Sequence, residues 1–233
     1  MVDVLAVAAH PDDVEQTCGG TLLRMQEAGY RTGVLDLTAG EMGTLGTPEI
    51  RLLEADQAAR ILRLSWRGNM RFADAHVRNS LEYRNALALT IRHLRPRVVI
   101  APYWEARHPD HAHAGELTAE ACFVAGLRKL DPSSEPHRPF KLVFSSLYAR
   151  VDPTFVVDIT PWFDRRMQSL FAYESQYGAK GGPLFPARQE VLERHAAIAR
   201  YYGNFIGARY GEPFVMREVM RVDDIAALPV RSF

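Results

Sequence analysis

Two short apolar runs, at residues 2–9 and 97–101, each lead within a few positions into a cluster of imidazole and carboxylate groups. The first, VDVLAVAA, opens directly onto His10-Pro11-Asp12-Asp13-Val14-Glu15. The second, RVVIA, precedes Arg107-His108-Pro109-Asp110-His111. Continuous apolar runs of this length read as strands covered on both faces, as in parallel sheets. Open α/β sheets place their active sites at the carboxyl ends of such strands. Together the clusters hold three candidate metal ligands, a further carboxylate and a further histidine. That is the set a metallohydrolase with one open coordination position requires.

The remainder alternates strand and helix. A helix is expected from Pro11 to about Ala28, ended by Gly29, then a strand at 32–38 and a glycine-punctuated loop at 39–47. Pro48 opens another helix, residues 64–73 are ambiguous between strand and turn, and Ser80 caps a helix that Pro96 ends. Helices follow at 112–130, 160–175 and 188–202, strands at 142–149 and 154–158, and an irregular link at 178–186. This order predicts an α/β fold, a Rossmann-like three-layer sandwich with a mostly parallel sheet, in one domain spanning 1–233. The first strand–helix turn reads His-Pro-Asp-Asp where a dinucleotide site needs G-x-G-x-x-G, and two acids there would repel a pyrophosphate.

His10 and Asp13 are three residues apart, so an imidazole nitrogen and a carboxylate oxygen can converge on one ion such as Zn²⁺. Asp12 leaves the same turn at another angle and can face a metal-activated water as general base. Acids in a first helical turn also complement the helix dipole whatever their function. In the second cluster one of His108 and His111 can complete the ligand set while the other, protonated, faces a developing oxyanion. Asp110 can orient a histidine. A merely solvated polar loop is the ordinary alternative.

Taken together, Ala9–Glu15 and His108–His111 resemble the LmbE-like (PIG-L) family of zinc-dependent N-acetylglucosaminyl deacetylases, marked by A-H-P-D-D-x-E and a later H-P-D-H. The resemblance implies that His10, Asp13 and His111 bind Zn²⁺ and that Asp12 is the general base. It implies that His108 stabilises the oxyanion or protonates the leaving amine, with Asp110 supporting it. Thr38-Ala39-Gly40-Glu41-Met42-Gly43-Thr44 is similar to the family's glycine-rich loop. Arg51 matches an arginine of the substrate pocket, and Asp74 a sugar-binding aspartate, with Ala75 in place of the usual glycine. Tyr201-Tyr202-Gly203-Asn204-Phe205-Ile206-Gly207 and Gly211-Glu212-Pro213-Phe214 are similar to the bacillithiol-biosynthesis branch. That likeness implies N-acetylglucosaminyl L-malate as substrate and a homo-oligomer, often a hexamer. Arg51 and Arg107 can pair with malate carboxylates, although either can equally be a surface ion pair. Tyr202 is a candidate oxyanion donor, or simply packs in its helix. Asp12 ionised and His108 protonated would give a bell-shaped pH–rate profile.

Composition narrows the alternatives. With 28 basic and 28 acidic side chains the net charge is zero, which argues against an electrostatic grip on nucleic acid or an anionic membrane. Two cysteines, Cys18 and Cys122, offer neither a disulfide framework nor a CxxC metal site, which points to a reducing cytoplasm. The first residues enter a strand pattern with no signal-peptide character, and no run approaches the length of a membrane span. A His₂Asp set also accepts Fe²⁺, Co²⁺ or Mn²⁺. Other deacetylase substrates remain open: chitooligosaccharides, a mycothiol precursor or an antibiotic intermediate. So does a non-catalytic Rossmann-like binding module; a purely structural subunit has no use for a base beside three ligands.

Overall fold

The structure is a computed structural model that describes residues 1–178 and 186–230. Its sheet is built around β1 (Val4–Ala8), which pairs in parallel with β2 (Thr32–Thr38) on one side and β4 (Val98–Pro102) on the other. Beyond β2 lies β3 (Trp66–Phe72), and beyond β4 lies β5 (Lys141–Ser145), both also parallel. A late strand, β7 (Gly211–Val215), runs antiparallel between β5 and β6 (Phe155–Asp158). Among the described residues the sheet has seven strands in the order β3-β2-β1-β4-β5-β7-β6. The fold is thus α/β with a mostly parallel sheet and helices on both faces.

Alternate residues of β1 serve opposite faces. Leu5 and Val7 join Leu35, Leu37 and Val99 under α4 (Leu81–Leu94) and α5 (Pro109–Ala125), against Leu87, Ile91, Leu117 and Ala121. Val4, Ala6 and Ala8 join Val34, Ile100 and Val143 under α1 (Asp13–Thr17) and α2 (Gly19–Glu27), against Val14 and Leu22. Each fully buried Leu or Val contributes roughly 1.5–3 kcal/mol. The carboxyl ends of β1 and β4 are therefore held firmly, and both His/Asp clusters hang from those ends. The helix α3 (Pro48–Ile61) follows β2, with Thr47 capping it through Ile50 N–H and Pro48 at its first position. After β6 come α6 (Phe163–Leu170), α7 (Glu174–Tyr177) and α8 (Arg188–Asn204).

Several boundaries differ from the sequence expectations. The helix expected over 11–28 is broken at Cys18, whose φ is −142°. The amides of Gly20 and Thr21 donate instead to the Glu212 carboxylate of β7, at 3.0 and 2.7 Å, so a residue 191 positions away caps α2. The expected helix over 160–175 divides into a 3₁₀ turn, α6 and α7. The helix expected over 112–130 begins earlier, with Pro109 at its first position. The strand β7 has no counterpart among the expected elements: Gly211 and Pro213 disguise it, and its pairing with β5 and β6 is long-range. Ser80 caps α4 as expected, accepting from Tyr83 N–H. Of the irregular link expected over 178–186, residues 179–185 lie outside the described residues.

Candidate active site

The chain leaves β1 through Ala9 and reverses at Asp12, whose φ of 104° is rare for a residue with a side chain. This strained turn starts α1 and directs two successive carboxylates differently. Asp13 folds back to accept the His10 backbone N–H at 2.9 Å. At the end of β4, His108 caps α5: its Nδ1 accepts the Asp110 N–H at 3.2 Å. One turn of α5 then brings His111 toward His10.

The side chains of His10, Asp13 and His111 each offer one ligand atom, all within 4.8 Å of one another. His10 Nδ1 lies 3.2 Å from His111 Nε2 and 3.6 Å from Asp13 Oδ2, and His111 Nε2 lies 3.3 Å from Asp13 Oδ1. His10 Nε2 faces away from this group, 2.9 Å from Asp74 Oδ1 and 3.4 Å from Asp110 Oδ2. With Nε2–H donating to these carboxylates, Nδ1 is the nitrogen that faces the cluster and can give its lone pair to an ion in place of a proton. A second grouping, His10, His108 and Asp110, is equally compact, but it would take the His10 nitrogen already engaged by Asp74.

The electrostatics favour a cation. Burial opposes a charge on His10, yet hydrogen bonds to Asp110, Asp13 and Asp74 outweigh it and push the imidazole up to about 12. Burial likewise opposes ionisation of Asp13, but His111 and His10 hold its carboxyl well below the usual range. Two imidazoles and one carboxylate in a buried, negative setting match the donor set of a zinc site.

Asp12 is buried beside this group. Its Oδ2 accepts from the Tyr177 hydroxyl at 2.7 Å and Oδ1 from Arg51 Nη2 at 3.3 Å, with Gln16 Nε2 at 3.5 Å. Burial pushes its carboxyl above the ordinary range; Arg51 opposes the shift and the Asp13 charge adds to it. Glu15, the last residue of the first motif, points elsewhere, bonding Arg67 Nη1 at 2.6 Å in a buried network that includes Asp36.

The structure relocates several residues expected at the substrate. The Asp110 carboxylate makes no hydrogen bond to His108: Oδ2 accepts the Ala75 N–H at 2.8 Å and faces His10, and toward His108 it acts through its charge, which favours the protonated ring. As the second residue of α5 its side chain turns inward, and its backbone N–H is what bonds the His108 ring. Asp74, expected to bind the sugar, engages its carboxylate within the chain. Its oxygens accept from His10 Nε2, from Ala75 N–H at 2.8 Å and from Met42 N–H at 2.9 Å, and it is 6% exposed. Arg51, expected at the substrate pocket, is buried and donates to Pro11 O, Gly40 O and Asp12. Gly40, with φ of 69°, makes room for it, since a Cβ there would collide with the guanidinium. Tyr202 is buried in α8 with its hydroxyl accepting the Val151 N–H at 3.1 Å; it lines a cavity of about 410 Å³ that Gln16 also lines, but not His10, Asp13 or His111. Arg107 is exposed and makes no ion pair among the described residues.

His108 is exposed, with ring centroids 4.9 Å from His10 and 5.1 Å from His111. Desolvation and the neighbouring imidazoles push it below its ordinary value, while the Asp110 and Asp13 charges oppose the shift. A neutral ring whose Nδ1 accepts from Asp110 N–H carries its proton on Nε2, and can still donate a hydrogen bond. Tyr177 and Gln16, which touch Asp12, escape the sequence reading; 165 positions separate Tyr177 from Asp12, and no local pattern links them.

A family model described as "PIG-L: GlcNAc-PI de-N-acetylase" matches residues 5–122. The chain is 31% identical to the diacetylchitobiose deacetylase of Thermococcus kodakarensis, over 90% of this chain and 80% of that protein. It is 29% identical to a probable N-acetyl-α-D-glucosaminyl L-malate deacetylase 2 of Bacillus anthracis, over 76% of this chain and 82% of that protein. The crystal structure of the conserved protein TT1542 from Thermus thermophilus superposes with a TM-score of 0.87 at 43% identity, covering 96% of this chain and 98% of that one. The His-Pro-Asp-Asp turn and the second cluster through His111 both fall inside the matched segment, and the chain belongs to the PIG-L family.

Proposed function

We propose that this protein hydrolyses the acetamide of an N-acetylglucosamine-containing small molecule, with one Zn²⁺ held by His10, Asp13 and His111 and with Asp12 as general base. Membership of the PIG-L family makes the chain an N-deacetylase, an amide hydrolase of a generally metal-dependent kind. The metal, the residue roles and the substrate are our reading. The observation that carries it is the convergence of His10, Asp13 and His111 beside a buried carboxylate that is not part of that set.

When bound, a divalent cation polarises the acetamide carbonyl and makes a water molecule more acidic. Asp12 takes a proton from the attacking water and returns it to the amine nitrogen as the C–N bond breaks. His108 offers its Nε2–H to the carbonyl oxygen as that oxygen gains charge. Asp74 and Asp110 keep His10 in the tautomer that directs Nδ1 at the ion. The products are acetate and a free amino sugar.

For the substrate we propose N-acetylglucosaminyl L-malate. The exposed Arg107 beside His108 offers a guanidinium to a malate carboxylate, and the Bacillus anthracis relative bears that probable assignment. A second reading, diacetylchitobiose, is favoured by the longer match to the Thermococcus enzyme. We also propose a cytoplasmic homo-oligomer. Both cysteines are free and buried, and no helix among the described residues is long and apolar enough to cross a membrane.

The test is acetate release by zinc-loaded protein from the malate glycoside, diacetylchitobiose and N-acetylglucosamine, with Asp12→Ala as control. The highest kcat/KM on the malate glycoside supports the full reading. Release from the other sugars alone keeps the deacetylase and discards the malate substrate. No release from any, with zinc bound, overturns the substrate class.

A further inference from the structure

We infer that α3 and α7 together form a clamp that holds the Asp12 carboxylate in its working orientation, with Tyr177 and Glu54 as positioning residues. The inference rests on the reading of Asp12 as the base. Asp12 sits at the cap of α1 without making a side-chain capping bond, and from α1 itself only the long contact of Gln16 Nε2, at 3.5 Å, reaches this carboxylate. Both of its oxygens are instead held from outside. Arg51, on α3, donates to Oδ1 at 3.3 Å, and Tyr177, on α7, donates to Oδ2 at 2.7 Å.

The two helices behave as one unit because Glu54 ties them. Its carboxylate accepts the Ser175 N–H at 2.6 Å and the Ser175 hydroxyl at 2.7 Å. Glu54 lies one turn beyond Arg51, and Ser175 lies two residues before Tyr177. Gln176 Nε2 adds a bond to Leu45 O at 2.8 Å, in the loop that leads into α3. Beneath these polar ties Ala55 and Ala58 pack against Ala172 and Tyr173, with Tyr177 alongside. A turn with φ of 104° stores strain and would relax if its side chain were released. Small misplacements of a reacting group are costly, about a hundredfold for an ångström. A base gripped at both oxygens keeps a lone pair aimed at the water it deprotonates.

The experiment uses the full chain loaded with Zn²⁺ and whichever of the malate glycoside or diacetylchitobiose the parent protein hydrolyses. Tyr177→Phe keeps the ring and deletes the hydroxyl. It is expected to lower kcat by roughly 10–100-fold, with KM within about twofold and zinc content unchanged. Glu54→Ala should lower kcat in the same way, and Glu54→Gln, which retains a hydrogen-bonding amide for Ser175, should recover most of it. A Tyr177→Phe variant with parental kcat, or one affected in KM alone, overturns the clamp. So does Glu54→Gln as impaired as Glu54→Ala. A second measurement needs no turnover: the Tm loss caused by Tyr177→Phe, in the parent and in an Asp12→Ala background. The clamp requires a loss in the parent that largely vanishes without Asp12, and equal losses overturn it. If the parent releases no acetate from any substrate, the functional reading fails and this comparison still decides whether Tyr177 fastens Asp12.

Discussion

Replacing Asp74 with asparagine separates two roles that the sequence and the structure assign to this residue. In the structure Asp74 Oδ1 accepts His10 Nε2–H at 2.9 Å with the side chain 6% exposed, so it acts on the cation site through His10. Asparagine keeps an oxygen for Nε2–H but removes the charge, and its amide then faces Met42 N–H, which loses its acceptor. A hydrogen bond to a charged partner contributes roughly 1.5–3 kcal/mol, about 10- to 150-fold in an equilibrium constant. Loss of an outer carboxylate behind a metal-ligating histidine typically weakens binding by about 10–100-fold. We therefore expect Zn²⁺ affinity to fall by roughly 10–100-fold, measured by competition with a chromophoric chelator at fixed pH. With zinc saturating, KM for the sugar should stay within about threefold. Unchanged zinc affinity with a tenfold higher KM would refute this reasoning and return Asp74 to the sugar.

Three further outcomes are expected. His111→Ala should lose its metal on dialysis, whereas Asp12→Ala should retain it and lose turnover; elemental analysis beside an acetate assay checks both, and near-parental kcat in Asp12→Ala would remove the base assignment. Gly115→Ala would place a Cβ 2.5 Å from Pro102 O, where α5 crosses the end of β4; a loss of roughly 1–3 kcal/mol is expected in thermal unfolding, and an unchanged Tm would contradict the close approach. Burial, reinforced by the Arg166 charge, lowers His195 to about 3. Because this folded value lies below the unfolded 6.5, the unfolded chain binds the proton first. The stability His195 confers is therefore complete above the unfolded value and is lost as pH falls toward the folded one. Its full extent is on the order of a few kcal/mol, and His195→Gln should flatten denaturation midpoints measured across that window.

Much of the fold was legible because its signals are local. The run at residues 2–9 is continuous in apolar character because β1 is covered on both faces, and Ser80 and Pro48 mark their helix starts by backbone chemistry alone. The break at Cys18 was not legible, since Glu212 of β7 supplies the cap for α2. Nor was β7 itself, because a five-residue strand containing glycine and proline is defined by its partners.

The same division runs through the site. That imidazole and carboxylate groups would stand together at two strand ends follows from the residue order alone, because a spacing of three residues in a helical turn brings side chains to one side. The family follows for the same reason: both motifs are short and contiguous. Chain packing, by contrast, is what makes Arg51 grip the base and the loop at Gly40, sets Asp74 and Asp110 behind His10, and turns Tyr202 to Val151. Packing also brings Tyr177 to Asp12 across 165 residues. A long polar side chain can reach several partners, and which one it meets is set by how packed layers place distant segments, which no local spacing encodes.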